Sequence, residues 1–183
     1  MHPEIANAVG PGKLVRALTI SQPWADKIAS GDKWVENRTW ETPYRGVLAI
    51  HAGKGSRYLT ASELRGYTRG AVVALARLVA CVRLQDGSER VRGSARLTAS
   101  PHDAQELSAA GLSLGHVLAH EYTEGPVCWV LRDVWLLAKP VPAAGAQGVW
   151  MWDSSAMRPD VAGGVESPPG ERERDERQRR LRM

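Results

Sequence analysis

Phenylalanine is absent from this 183-residue sequence, cysteine occurs only twice, and just five of its 24 basic residues are lysine. Each shortage excludes something. Cys81 and Cys128 each sit inside an apolar run, so they build neither a disulfide framework nor a four-cysteine zinc site. A reducing compartment is the expectation. No apolar run approaches the roughly 18 residues of a membrane-spanning helix, and MHPEIANAVGPGK at the N-terminus lacks the basic-then-apolar order of a secretory leader. The chain is therefore expected in the cytoplasm, with no membrane partner. No phosphate-binding glycine loop, nucleophile elbow or dinucleotide fingerprint occurs, and no cofactor is expected.

What is present is the balance of one globular domain: 43% hydrophobic and 24% charged residues over a length that buries a core without staples. The ends differ from the middle. Residues 1–11 have no periodicity and read as a flexible N-terminus. Residues 154–183 pass from Gly, Pro and Ser into ERERDERQRRLRM and read as a disordered charged tail, leaving 12–153 as the domain. The formal charge of +4 permits an anionic partner without requiring one. With no Phe, seven Trp and four Tyr carry all the aromatic mass, so each Trp needs a role.

Short β-prone runs dominate the domain. Strands are expected over 14–20, 33–40, 47–52, 71–84, 126–137 and 148–152, the fourth long and bent, with a Thr42-Pro43-Tyr44-Arg45-Gly46 turn after the second. Helices are expected with Pro23 in the first turn, capped by Ser21 or Gln22 and ending near Gly31, and over 101–110, capped by Ser100. This pattern predicts a mainly β (α+β) fold, a small barrel with helical inserts rather than a βαβ array. Trp129 and Trp135 have apolar neighbours and are expected in the core.

The densest polar cluster is Ser21-Gln22-Pro23-Trp24 followed by Gly31-Asp32-Lys33-Trp34-Val35-Glu36-Asn37-Arg38-Thr39-Trp40. On a strand, Trp34, Glu36, Arg38 and Trp40 face one way and Lys33, Val35 and Asn37 the other. Glu36 and Arg38 can therefore pair. From spacing alone, that pair is either an ordinary surface bridge or part of a binding cleft.

These residues resemble the ASCH domain, the module named for homology to activating signal cointegrator. The shared motif Gly-x-Lys-x-x-Glu-x-Arg is Gly31, Lys33, Glu36 and Arg38 here, with Gln22-Pro23-Trp24 before it and Gln147-Gly148-Val149-Trp150 near the end. The resemblance implies a PUA-like β-barrel with a helix over a cleft. It also implies binding of RNA, of other single-stranded nucleic acid, or of a modified nucleoside, with no obligate protein partner. The cleft it implies is lined by Lys33, Glu36 and Arg38 with the start of the first helix, Ser21, Gln22 and Trp24, beside it, and His51, Lys54 and Trp150 are further candidate ligand-binding residues. The alternative is a hydrolase, either a ribonuclease or an N4-acetylcytidine-type amidohydrolase, with Lys33 and Glu36 as catalytic residues. Relatives with the amidohydrolase activity carry a Thr nucleophile where Glu36 stands.

Two further features are weaker. His116 and His120 stand at the i, i+4 spacing of helical metal ligands but lack the intervening Glu of zinc hydrolases, so no metal is expected. Arg83, Arg90, Arg92 and Arg96 form a loose basic run that reads as a solvated loop or as a phosphate-tracking flap.

Overall fold

The computed structural model describes residues 1–85 and 96–157. Among these are seven strands, β1 Leu14–Ile20, β2 Val35–Arg38, β3 Gly46–Ala52, β4 Ala71–Gln85, β5 Arg96–Ala99, β6 Val127–Pro142 and β7 Val149–Asp153, and four helices, α1 Pro3–Ala8, α2 Trp24–Ala29, α3 Pro101–Ala109 and α4 Leu114–Ala119. All seven strands join one mixed sheet in the order β2-β6-β4-β3-β1-β7, with β5 paired to the far end of β4. The sheet curls into a half-barrel, mainly β with short helices as expected. Its length comes from β4 and β6, which are nearly continuous apolar runs because the sheet is covered on both faces. Register shifts between Val72 and Ala74, Leu75 and Arg77, and Leu78 and Ala80 bend that pair.

The pairing of β1 with β3 is parallel, Arg16 facing Leu48 and Ile20 facing Ala52. Parallel neighbours need a crossover. The crossover is the motif region itself: α2 packs Ala25, Ile28 and Ala29 into the core inside the curl, and Gly31, at φ +85°, turns the chain toward β2. The expected strand over 33–40 is shorter. It starts at Val35 because the chain before it is committed to the helix end, Lys33 N–H donating to Lys27 O at 2.9 Å. Strict alternation therefore fails for the two residues before the strand. Lys33 comes to the Glu36 side and Trp34 packs on the opposite face.

Both domain boundaries move outward. Residues 3–8, expected to be flexible, form α1, and fully buried Ile5 joins the apolar cluster of Val15, Val47 and Trp152. Arg77 clamps this helix to the sheet, 3.0 Å from Glu4 and 2.7 Å from Asp133. A six-residue helix with one apolar anchor has no period to detect. At the other end Ser154 is fully buried, its hydroxyl accepting from Gly10 N–H at 3.1 Å and lying 3.0 Å from Lys13 O, and Met157 completes the same cluster. The fold thus runs to Met157. The remainder of the expected tail, 158–183, lies outside the described residues, as does most of the basic run between Arg83 and Arg96.

His51 in β3 is buried, its Nε2 3.1 Å from Ala143 O. The Gly145 backbone lies so close that a Cβ there would stand 2.6 Å from Nδ1. Burial pushes the imidazole pKa below its usual 6.5, the hydrogen bond to Ala143 opposes the shift, and the Lys54 charge adds to it. The folded ring is therefore the neutral form, while the unfolded chain takes up a proton near pH 6.5. Its contribution to stability is complete above that pH and is lost as pH falls from 6.5 toward the lower folded value.

Three outcomes follow from this packing. Ile5→Ala should cost about 2–5 kcal/mol in urea unfolding, a core truncation rather than a terminal change. A chain ending at Met157 should keep the melting temperature of the full protein, whereas one ending at Asp153 should melt lower by several degrees. Urea unfolding at pH 7.5 and 5.5 should show acid destabilisation that is reduced in His51→Gln.

Candidate nucleic-acid interface

Glu36 lies opposite Trp129 of β6 in the sheet register and is only 8% exposed. A carboxylate so buried needs charged partners. It has two: Lys33 Nζ stands 3.1 Å from Oε2, and Arg38 Nη2 stands 3.3 Å from Oε1. Lys33, 3% exposed, also donates to Val35 O, which holds its ammonium at the strand entrance. Arg38 Nη2 reaches across to donate to Thr19 O of β1 at 3.2 Å. Since β2 and β1 lie near opposite ends of the sheet order, this arginine spans the open seam of the curl.

The three charged residues open onto a cavity of about 320 Å³, near the lower end of the range for small-molecule sites. The end of β1 and the following turn supply Thr19, Ile20 and Ser21, and α2 supplies Trp24. Tyr58, Tyr122 and Glu124 come from loops. Trp24 meets Tyr58 and Tyr122 edge-on, with centroids 6.2 and 5.8 Å away, so three aromatic rings adjoin the ionic cluster. Lys33 Nζ lies 5.7 Å from the Tyr122 ring centroid.

Asn37 fixes one of those loops. Its Nδ2 donates to Tyr122 O at 2.7 Å, and its Oδ1 accepts from Glu124 N–H at 3.0 Å and Gly125 N–H at 3.1 Å. His120 supports the same segment from behind, stacked on Trp34 at 4.3 Å and accepting Trp34 N–H through Nε2 at 3.2 Å. His116 instead accepts Ser113 N–H in the α4 capping box. The two histidines thus serve different local structures.

Of the residues expected in the cleft, Ser21, Trp24, Lys33, Glu36 and Arg38 line the cavity. Gln22, His51, Lys54 and Trp150 do not. Gln22 is fully buried, donating to Asp26 Oδ1 at 2.6 Å and Thr68 O at 2.7 Å, so it braces α2 against the 56–70 loop. Trp150 Nε1 donates to the Thr19 hydroxyl at 3.1 Å and its ring meets His51 edge-on, a layer behind the cavity wall. Lys54 lays its stem over Gly70, where a Cβ would stand 2.7 Å from Cε. Trp129 is fully buried as expected, and Trp135 is half-buried. Sequence reasoning missed Tyr58, Tyr122, Asn37 and Glu124. Their only advance signal is that Tyr is scarce in a chain without Phe.

The ASCH domain family model matches residues 18–139. That span contains every residue lining the cavity. Among solved structures the chain is similar to the ASCH protein of Zymomonas mobilis, with 18% identity and a TM-score of 0.45 over 82% of this chain and 97% of that one. No curated protein matches the chain. At the level of the family, an ASCH domain is a PUA-like RNA-binding module. The motif at Gly31, Lys33, Glu36 and Arg38, the curled mixed sheet that carries it, and a family match over two thirds of the sequence agree: the chain belongs to the ASCH domain family.

Proposed function

We propose that this protein binds single-stranded RNA by taking one unpaired base, plain or modified, into the cavity beside Glu36. The observation that carries the reading is a buried carboxylate held between two cations and facing three aromatic rings. A base needs an apolar surface to stack on and fixed donors and acceptors along its edge. Trp24, Tyr58 and Tyr122 offer the surface, Glu36 an acceptor for an amino group, and Lys33 and Arg38 donors for ring nitrogens or carbonyls. The buried pairing holds these groups in place before the ligand arrives, so little ordering cost falls on binding.

Catalysis is the weaker reading. Each Glu36 oxygen already receives a charged donor, an arrangement suited to accepting a hydrogen bond at fixed geometry rather than to taking a proton from water. The hydroxyl nucleophile of the amidohydrolase relatives is replaced by this same carboxylate.

Two variants test the proposal. Tyr58 is 51% exposed, so Tyr58→Ala should leave the melting temperature unchanged while weakening binding of short single-stranded RNAs by about 1–3 kcal/mol in fluorescence anisotropy. Undiminished affinity in that variant would remove the base from this cavity. Glu36→Gln breaks a buried ionic cluster, so it should cost about 3–5 kcal/mol of stability, well above the at most about 1 kcal/mol of a surface bridge, besides impairing binding. Release of acetate from N4-acetylcytidine by the wild type, abolished in Lys33→Ala, would replace binding by hydrolysis.

A further inference from the structure

The register of the sheet places a second cavity beside the first. Glu36 of β2 faces Trp129 of β6, which faces Cys81 of β4; Arg38 faces Val127, which faces Arg83, which faces Thr98 of β5. Directly opposed residues share a face, so these are two adjacent rows on one side of the sheet. The first cavity takes Glu36 and Arg38 from one end of the rows. A cavity of about 270 Å³ takes Cys81, Arg83 and Thr98 from the other. Two interstrand spacings, about 9.5 Å, separate the backbones at Arg38 and Arg83.

Trp40 packs on Trp129, the residue that lies between Glu36 and Cys81 in the first row. Its ring meets Trp129 edge-on at 4.8 Å and its carbonyl accepts the Trp129 indole N–H at 3.1 Å. Trp129 is fully buried, yet Trp40 keeps 36% of its surface exposed, which makes it a rigidly seated indole open to solvent. The next residue, Glu41, pairs with Arg83. Both side chains of that pair are largely exposed, 42% and 61%, so the bridge is weak and readily exchanged. Arg45, the other arginine of the second cavity, is committed: it lies 2.6 Å from Asp103 and donates to Thr42 O and Tyr44 O.

We propose that Trp40 and Arg83 form a second nucleotide subsite, which takes the nucleotide flanking the base held beside Glu36. Trp40 stacks on the flanking base, and Arg83 exchanges Glu41 for the phosphodiester. The subsite rests on the reading of the first cavity as a base site, and it makes an RNA strand rather than a free nucleoside the preferred ligand. An exposed aromatic alongside a base-sized cavity and an exchangeable guanidinium matches the alternation that a single strand presents.

The test uses the full chain, short homo-oligoribonucleotides of the four bases, and the matching nucleosides. Trp40→Ala and Arg83→Ala should each weaken oligonucleotide binding roughly tenfold without changing nucleoside binding. Arg83→Ala should also reduce the slope of log affinity against log salt by about 0.7, the value for one phosphate on a single strand. Glu41→Gln should tighten binding, because the competing carboxylate is gone. Trp40→Tyr, which keeps a stacking face, should restore most of the affinity and separates stacking from any loss of cover over Trp129.

Oligonucleotide affinity unchanged in both Arg83→Ala and Trp40→Ala, together with an unchanged salt slope, would overturn the subsite. The first cavity would then stand if Tyr58→Ala still weakens nucleoside binding. Dependence on Trp40 and Arg83 without dependence on Tyr58 would overturn the base cavity and, with it, the flanking role of the subsite, leaving a nucleotide site at Trp40 and Arg83 alone. Displacement of the oligonucleotide by polyglutamate at equal charge concentration would overturn the subsite in favour of an acidic protein partner.

Discussion

A buried carboxylate with a cation on each side organises this domain. Glu36 could not sit at 8% exposure without Lys33 and Arg38, and neither cation would face inward without it. The interaction is also architectural. Through Arg38 and the Thr19 carbonyl, one side chain ties β2, at one end of the sheet order, to β1 near the other. The same three residues therefore hold the curl together and present fixed charge to the cavity. The charged wall of the cavity and the tie across the sheet share one set of contacts, and the polar motif lies in the crossover between two parallel strands rather than on a free loop.

Without phenylalanine, tryptophan performs tasks that other proteins divide among several residue types, and at Trp129 and Trp150 the indole N–H fixes the placement. Trp129 can be fully buried because its N–H finds the Trp40 carbonyl. Trp150 is oriented by the Thr19 hydroxyl, and that threonine's carbonyl receives Arg38, so the wall behind the cavity and the ionic cluster meet at one residue. Trp34 has a different role, stacking under His120 to support the loop that delivers Tyr122 and Glu124. Aromatic walls thus come from three separate parts of the chain, Tyr122 held through its carbonyl by Asn37 and Tyr58 by its edge contact with Trp24.

Local chemistry made much of this legible in the sequence. The apolar runs of β3, β4 and β6 mark strands covered on both faces, Ser100 and Pro101 open α3, Gly31 ends the turn after α2, and the spacing of Glu36 and Arg38 puts them on one face. These features depend on a residue and its near neighbours. The burial of the Glu36 cluster was not legible, because a carboxylate two residues from an arginine reads the same on a surface strand as in a closed seam. Nor was the side taken by Lys33 and Trp34: alternation holds only where a strand exists, and β2 begins one residue after Trp34.

The remaining differences have one cause, which is contact between distant parts of the chain. Gln22, His51, Lys54 and Trp150 have the chemistry of ligand residues, but bonds to Thr68, Ala143 and Thr19, and the packing of the Lys54 stem over Gly70, place them outside the cavity lining. Tyr58 and Tyr122 lie in loops without periodicity and reach the cavity only because Trp24 and Asn37 hold them there. Ile5 and Met157 belong to the core through each other's neighbours, so neither end of the domain could be drawn from composition. The sequence by itself determined six of the seven described strands, the cap of α3 and the charged motif, because short-range sterics and hydrogen bonding set them. Tertiary structure decided which charges are buried and which aromatics meet them, because burial belongs to the assembled sheet and to no single segment of it.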